Sequence, residues 1–191
     1  IRQEGVALTQ GDAAMFTNAV RESFVLERDE DGTPIRFPDG QGVTIGVISD
    51  SYNKQLAGPG QPSRATVDVQ NRDLPGDLDT EGNVVFESPS NVQNGVKVLK
   101  DYPYGVASDE GRAMLQLIHD VAPGADLAFS TGVLSPRDFA LAIEDLALAG
   151  CDFIVDDVTY PFAPFFGEGQ ISDAIKAFTN GEGNEGHAYF T

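Results

Sequence analysis

Gly42-Val43-Thr44-Ile45-Gly46-Val47-Ile48-Ser49-Asp50 is a continuous run of apolar and β-branched residues that ends in an acid. A strand with one wet face alternates polar and apolar residues. One without alternation is buried on both faces, the mark of a parallel sheet covered by helices on each side. The later chain fits the same scheme. Strands are expected at Gly95–Lys100, Asp126–Ser130, Asp152–Val158 and His187–Thr191, with helices at Asp109–Val121, Pro136–Ala149 and Gly169–Thr179. Strands spaced by helices of this length indicate right-handed crossovers within one parallel sheet. The expected fold is a three-layer α/β domain.

Ahead of this sheet, residues 9–26 read as an amphipathic helix. Thr9 or Asp12 serves as cap, and Ala14, Met15, Phe16, Ala19, Val20, Phe24 and Val25 recur at helical spacing. A polar turn, Glu27 to Pro34, follows it. Residues 51–93 are rich in Gly, Pro, Asn and Asp, with short strand candidates at Ala65–Val69 and Asn83–Glu87. Residues 1–41 are therefore taken as an N-terminal helix and linker, and 42–191 as the main domain. No internal repeat or low-complexity segment occurs. The apolar run Ala188–Thr191 that closes the chain reads as a strand without its following loop, so the domain is expected to be incomplete. Likewise, a chain opening at Ile1 without a signal-peptide pattern is read as following a removed precursor segment or a cut boundary.

Composition excludes several classes of partner. With 30 acidic and 12 basic residues the formal charge is −18, the wrong sign for nucleic acid or for an anionic membrane surface. No apolar run approaches the roughly 20 residues that span a bilayer. Such acidity fits a solubilising surface, a saline environment or cation binding, and does not rank them. The single cysteine, Cys151, rules out an internal disulfide and a cysteine-built metal site. Its apolar setting, Leu-Ala-Gly-Cys-Asp-Phe-Ile-Val, reads as a buried, inert thiol.

Catalytic groups of open α/β sheets gather at the carboxyl ends of the strands. Asp50 lies at such an end, Asp109 and Glu110 open the helix after a neighbouring strand, and Asp156 and Asp157 close a third. Carboxylates converging on one rim repel, and at least one pKa is expected to rise. Each acid also has a plainer role. Ser108 is an ordinary N-cap, followed by acids that the helix dipole favours. Asp50-Ser51-Tyr52-Asn53 is a turn after a strand. Of Asp156 and Asp157 one must face inward, because side chains alternate, and a buried carboxylate needs a partner or a proton.

Val43-Thr-Ile-Gly-Val-Ile-Ser-Asp50-Ser51 resembles the first catalytic strand of subtilisin-like peptidases, which ends in Asp followed by Ser or Thr. Glu110-Gly111-Arg112 falls on that family's His-Gly-Thr. Val121-Ala122-Pro123-Gly124-Ala125 resembles its Val-Ala-Pro turn, and Asp152 to Tyr160 the strand that walls its substrate cleft. Gly186 to Thr191 resembles the strand leading to its oxyanion-hole segment. The resemblance covers residues 42–191. Glutamate in the histidine place is the arrangement of the sedolisins, which share this fold. They carry an aspartate four residues later, where this chain has Met114.

The resemblance implies a secreted serine endopeptidase that needs no cofactor and acts on protein or peptide substrates. Asp50 and Glu110 would be its acid/base members, with Asp109 as the alternate and Val158, Thr159 and Tyr160 as the cleft wall. A carboxylate serves as base toward serine if it shares a proton with a second one, so a raised pKa is expected for the Asp50/Glu110 pair. No Gly-x-Ser-x-Gly or Gly-Thr-Ser occurs. The serine is therefore expected in the C-terminal remainder of the domain, and this chain alone is expected to be inactive. Ser51 reads as a turn residue. Gly183-Asn184-Glu185-Gly186 is rejected as the oxyanion segment because it precedes its strand instead of following one.

The remaining candidates are bland. His119 lies about 13 Å along the helix axis from Glu110, out of reach of the same site, and His187 is a loop-edge residue, so no zinc site is expected. The acidic loop Asp73–Asn83, with Asp77, Asp79 and Glu81, offers oxygen ligands for Ca2+ but lacks the EF-hand register, and reads chiefly as a solvated loop. Phe162, Phe165 and Phe166 line a cleft wall or cap the sheet edge. The rival to a peptidase is a degenerate, inactive subtilisin-fold binding or structural module. A nucleotide or sugar-phosphate enzyme is disfavoured, because no strand is followed by a Gly-rich phosphate loop.

Overall fold

A computed structural model describes residues 11–85, 92–93, 95–163, 168–181 and 183–191. In chain order its elements are α1 (Gly11–Ala14), α2 (Thr17–Ser23), β1 (Glu27–Arg28), β2 (Pro34–Arg36), β3 (Thr44–Ser49), α3 (Arg64–Asn71), β4 (Asp77–Leu78) and β5 (Val84–Val85). There follow β6 (Val92–Gln93), β7 (Val96–Lys100), α4 (Glu110–Val121), β8 (Asp126–Thr131), α5 (Pro136–Leu148), β9 (Phe153–Asp156), α6 (Gln170–Asn180) and β10 (Ala188–Phe190). The main sheet runs in the order β10-β9-β3-β8-β7-β6. The five strands from β10 to β7 are parallel, and only the two-residue β6 is antiparallel. Two short antiparallel ribbons, β1–β2 and β4–β5, stand apart from it.

β3 is the central strand, paired with β8 on one side and β9 on the other; Gly46 stands opposite both Ala128 and Ile154. Alternation along it divides the core in two. Val47 belongs to one layer with Tyr52, Val69, Leu115 and Phe129, under α3 and α4. Ile48 belongs to the other with Phe139, Ile143, Leu146 and Ile154, under α5 and α6. Helices thus cover both faces, as the unalternating run of residues 43–49 requires. Five parallel strands share a carboxyl edge, where the loops after Ser49, Lys100, Thr131 and Asp156 emerge.

Local chemistry sets the helix ends. Ser135 caps α5 by accepting from the Asp138 amide at 3.1 Å, and Pro136 takes the first helical position, where its missing N–H is no loss. Three expectations need correction. Ala65–Val69 is not a strand but the body of α3, started by Ser63 Oγ, which accepts from the Thr66 amide at 3.2 Å. Its buried pair, Ala65 and Val69, is spaced for one face of a helix. The single helix over 9–26 is instead two short ones, split at Phe16, whose φ of 58° is left-handed; Thr9 lies outside the described residues. The strand expected over 152–158 ends at Asp156, so Val158, Thr159 and Tyr160 belong to the loop beyond it. Residues 11–41 sit at the far end of α4, where Arg21 Nη1 donates to the Val121 carbonyl at 2.8 Å and the Gly124 amide to the Asp39 carbonyl at 2.8 Å.

Candidate functional site

The first turn of α4 lies directly against the end of β3, and Gly111 makes that possible. A Cβ there would sit 2.2 Å from Phe129 Cε2 and 2.9 Å from the Ser51 carbonyl oxygen. The approach brings Asp50 onto the helix start. Its Oδ2 accepts from the Ser108 amide at 2.9 Å and the Ser108 hydroxyl at 2.6 Å, and its Oδ1 accepts from the Glu110 amide at 2.9 Å. Thr131 Oγ1 on β8 donates to the Asp50 carbonyl at 2.6 Å. Asp109, not Ser108, holds the N-cap position of α4 and makes no side-chain capping bond there; Asp50 reaches across from another element to serve the first helical amide.

Burial works to raise the pKa of Asp50. The hydrogen bonds from the Ser108 hydroxyl and amide and from the Glu110 amide outweigh it and hold the carboxyl below the ordinary aspartate value. The raised value expected for the pair is thus overturned at Asp50, because donors fill its oxygens before any shared proton is needed. Glu110 is exposed, and its carboxylate takes no hydrogen bond from the described residues. The link between the two acids runs through the Glu110 backbone.

Asp109 is placed differently. Its side chain is fully buried, on a backbone with φ 59°. Its oxygens accept from Ser51 Oγ at 3.2 Å, the Gln55 amide at 3.0 Å and Arg112 Nη2 at 3.0 Å, and from the Lys54 amide as well. So occupied, it has no free face for a substrate. Asp101, at the end of β7, accepts from the Tyr52 amide at 2.9 Å and the Asn53 amide at 3.1 Å. Four successive amides, Tyr52 to Gln55, thereby end on two carboxylates. Ser51, also buried, donates to Asp109 and accepts from its amide at 2.8 Å, which makes it a structural hinge and no nucleophile.

Compared with known protein families, curated proteins and solved structures, the chain matches none. The site therefore speaks through its own geometry.

Of the acids closing β9, Asp156 faces inward and Asp157 outward, as strand alternation demands. Burial raises the pKa of Asp156 against the hydrogen bonds it receives, chiefly from Tyr189. Tyr189 OH donates to it at 2.7 Å and the Val158 amide at 3.0 Å. Asp156 stands on a cavity of about 670 Å³ with Phe139, Val158, Tyr160, Ile171 and Ile175. Two of the three expected cleft residues thus line a cavity. Thr159 points to solvent and is not among its walls. Tyr160 is tethered by its hydroxyl, which donates to the Gly132 carbonyl at the end of β8. Phe162 is fully exposed at the rim, and Phe165 and Phe166 lie outside the described residues.

The bland candidates keep their places. His119 is in the last turn of α4, at the opposite end from Glu110, and His187 packs on the Phe178 ring at 5.0 Å. Asn184 spends its amide group on the Ala177 and Phe178 carbonyls, closing α6. Asp79 accepts from the Asn83 side chain and from the amides of Asn83 and Glu81, which lowers its pKa and commits it to the β4–β5 turn. Among the described residues no three of His, Cys, Asp and Glu gather as a metal set. Sequence reasoning missed Asp101 and Arg112. Asp101 repeats the position of Asp50, an acid just past a strand, and Arg112 is spaced to reach Asp109 across one helical turn.

Proposed function

We propose that the chain forms part of a serine endopeptidase of the subtilisin and sedolisin kind, with Asp50 and Glu110 as its acid/base pair. The serine and the oxyanion donor come from polypeptide outside these residues. The carrying observation is the 2.9 Å bond from the Glu110 amide to Asp50 at the carboxyl edge of the central strand. It ties an ionised carboxylate to the backbone of the residue that carries the second one, whose side chain is exposed. Glu110 accepts the proton of the attacking serine and returns it to the leaving amine. Asp50, held as an anion by amide and hydroxyl donors, anchors the first turn of α4 that carries Glu110. Val158 and Tyr160 wall the cleft that takes the peptide.

A second reading has its own support. The donors that hold Asp50 are those of a helix cap, and a cap alone would suit an inactive binding module of the same fold.

The full-length gene product, assayed on denatured protein and peptide substrates, separates the two. The peptidase reading expects hydrolysis that falls at least about 100-fold in kcat for Glu110→Gln, and labelling by a serine-directed fluorophosphonate. A protein that neither cleaves nor labels is the binding module. Activity governed by a base near neutral pH, and lost in His119→Ala, would overturn the assignment of Glu110.

A further inference from the structure

The Arg112 side chain is only 9% exposed and ends on three separate elements. Nε donates to the Tyr52 carbonyl at 3.1 Å in the loop after β3, Nη1 to Asp68 of α3 at 3.0 Å, and Nη2 to Asp109 at 3.0 Å. Burial raises the pKa of Asp68 in spite of the guanidinium beside it, so the trio is costly to bury. Replacing buried ion pairs by apolar residues often loses no stability. What an arginine supplies here is a planar fork that fixes several acceptors at once. The parts it fixes are Asp109 and the loop from Ser51 to Gln55. Asp50 and Glu110 are their immediate neighbours in sequence.

We propose that Arg112, acting through Asp109, is the positioning residue that holds the Asp50 carboxylate against the first turn of α4, which begins at Glu110. The proposal rests on reading Asp50 and Glu110 as the reacting pair. Arg112 touches neither acid. It pins Asp109, which pins Ser51 and the amides of Lys54 and Gln55, so the two backbone segments carrying the acids cannot slide apart. The surroundings of Asp50 itself are Ser51, Ser108, the Glu110 amide and Thr131.

Arg112→Lys tests this, because it keeps the positive charge and loses the fork. In the full-length gene product with 13C-labelled aspartate, the Asp50 titration midpoint is expected to move up toward the ordinary aspartate value. Asp109→Asn is expected to do the same, and the double variant to add little, since both act through one network. On a cleavable peptide, kcat should fall about tenfold or more with KM unchanged, about 1.4 kcal/mol of barrier. A folded Arg112→Lys protein with an unmoved Asp50 midpoint overturns the proposal. Loss of folding in both single variants also overturns it, for the network is then a folding requirement only. A shifted Asp50 in a protein that hydrolyses nothing, even as wild type, keeps the positioning role and removes the peptidase reading.

Discussion

At Gly111 the helix and the sheet leave no room for a side-chain carbon. A methyl group would meet the Phe129 ring, which is itself fully buried, and the Ser51 carbonyl. Alanine is the better helix former by about 1 kcal/mol, yet overpacking a filled core costs about 1–3 kcal/mol. Gly111→Ala is therefore expected to lower stability by up to about 2 kcal/mol in urea unfolding; a neutral or stabilised variant would show that α4 can lift off β3. At Asp50 and Asp156 the sign of a pH effect divides. Asp50 is held low, so its contribution is complete above the unfolded value of about 3.9 and is lost as pH falls through the folded one. Asp156 is held high, so its contribution is present at low pH and lost as pH rises from about 3.9 through the folded value. Acid unfolding curves should accordingly become shallower in Asp50→Asn and steeper in Asp156→Asn, and equal slopes would refute both placements. The sequence could mark both acids because each closes an apolar strand. It could not show which way either pKa moves, since that depends on burial weighed against donors distant in the chain, Ser108 for Asp50 and Tyr189 for Asp156.

Elements with a long, unbroken pattern were legible from residue order. β3, β7, β8, α4, α5, α6 and β10 lie within one or two residues of expectation, because each is an apolar run bounded by polar or turn residues. The failures share a cause. In α3, the run Ala-Thr-Val-Asp-Val alternates like a strand, while the deciding residue, Ser63, stands just before it. If that cap sets the element, Ser63→Ala should cost about 1 kcal/mol, read as a drop in thermal unfolding midpoint without change in the folded spectrum. In α1 and α2 the opposite error arises. Met15, Phe16, Val20 and Phe24 have helical spacing, but all four are largely exposed, and Phe16 breaks the helix. Periodicity reports a face, and only tertiary contact says whether that face is covered. The approach of Asp50 to the start of α4 was legible for the same reason as the strands: both lie at ends that the sheet brings to one edge. The Arg112 network was not, since it joins three loops and helices whose meeting no local pattern encodes.

Over the whole molecule the acidic surplus and the packed sheet oppose one another. A charge of −18 on 191 residues repels itself most in the compact state, and the Debye length falls from about 30 Å at 0.01 M salt to about 8 Å at 0.15 M. The thermal midpoint should therefore rise as sodium chloride is added over that range, whereas a fold held mainly by ion pairs would lose stability. The few ion pairs of the described residues, four of the five at least half-buried, are poorly placed to reverse that sign. Cys151 offers a probe of the same balance. It is fully buried, and a Cβ on Gly46 would lie 3.0 Å from its sulfur; burial pushes the thiol up to about 12. The thiolate is the reactive form, so labelling by a disulfide reagent at pH 8 must wait for the sheet to open. Its rate is expected to fall as salt rises, in step with the higher midpoint. A thiol that reacts fast at every salt concentration would mean that the layer between β3 and α5 opens without global unfolding.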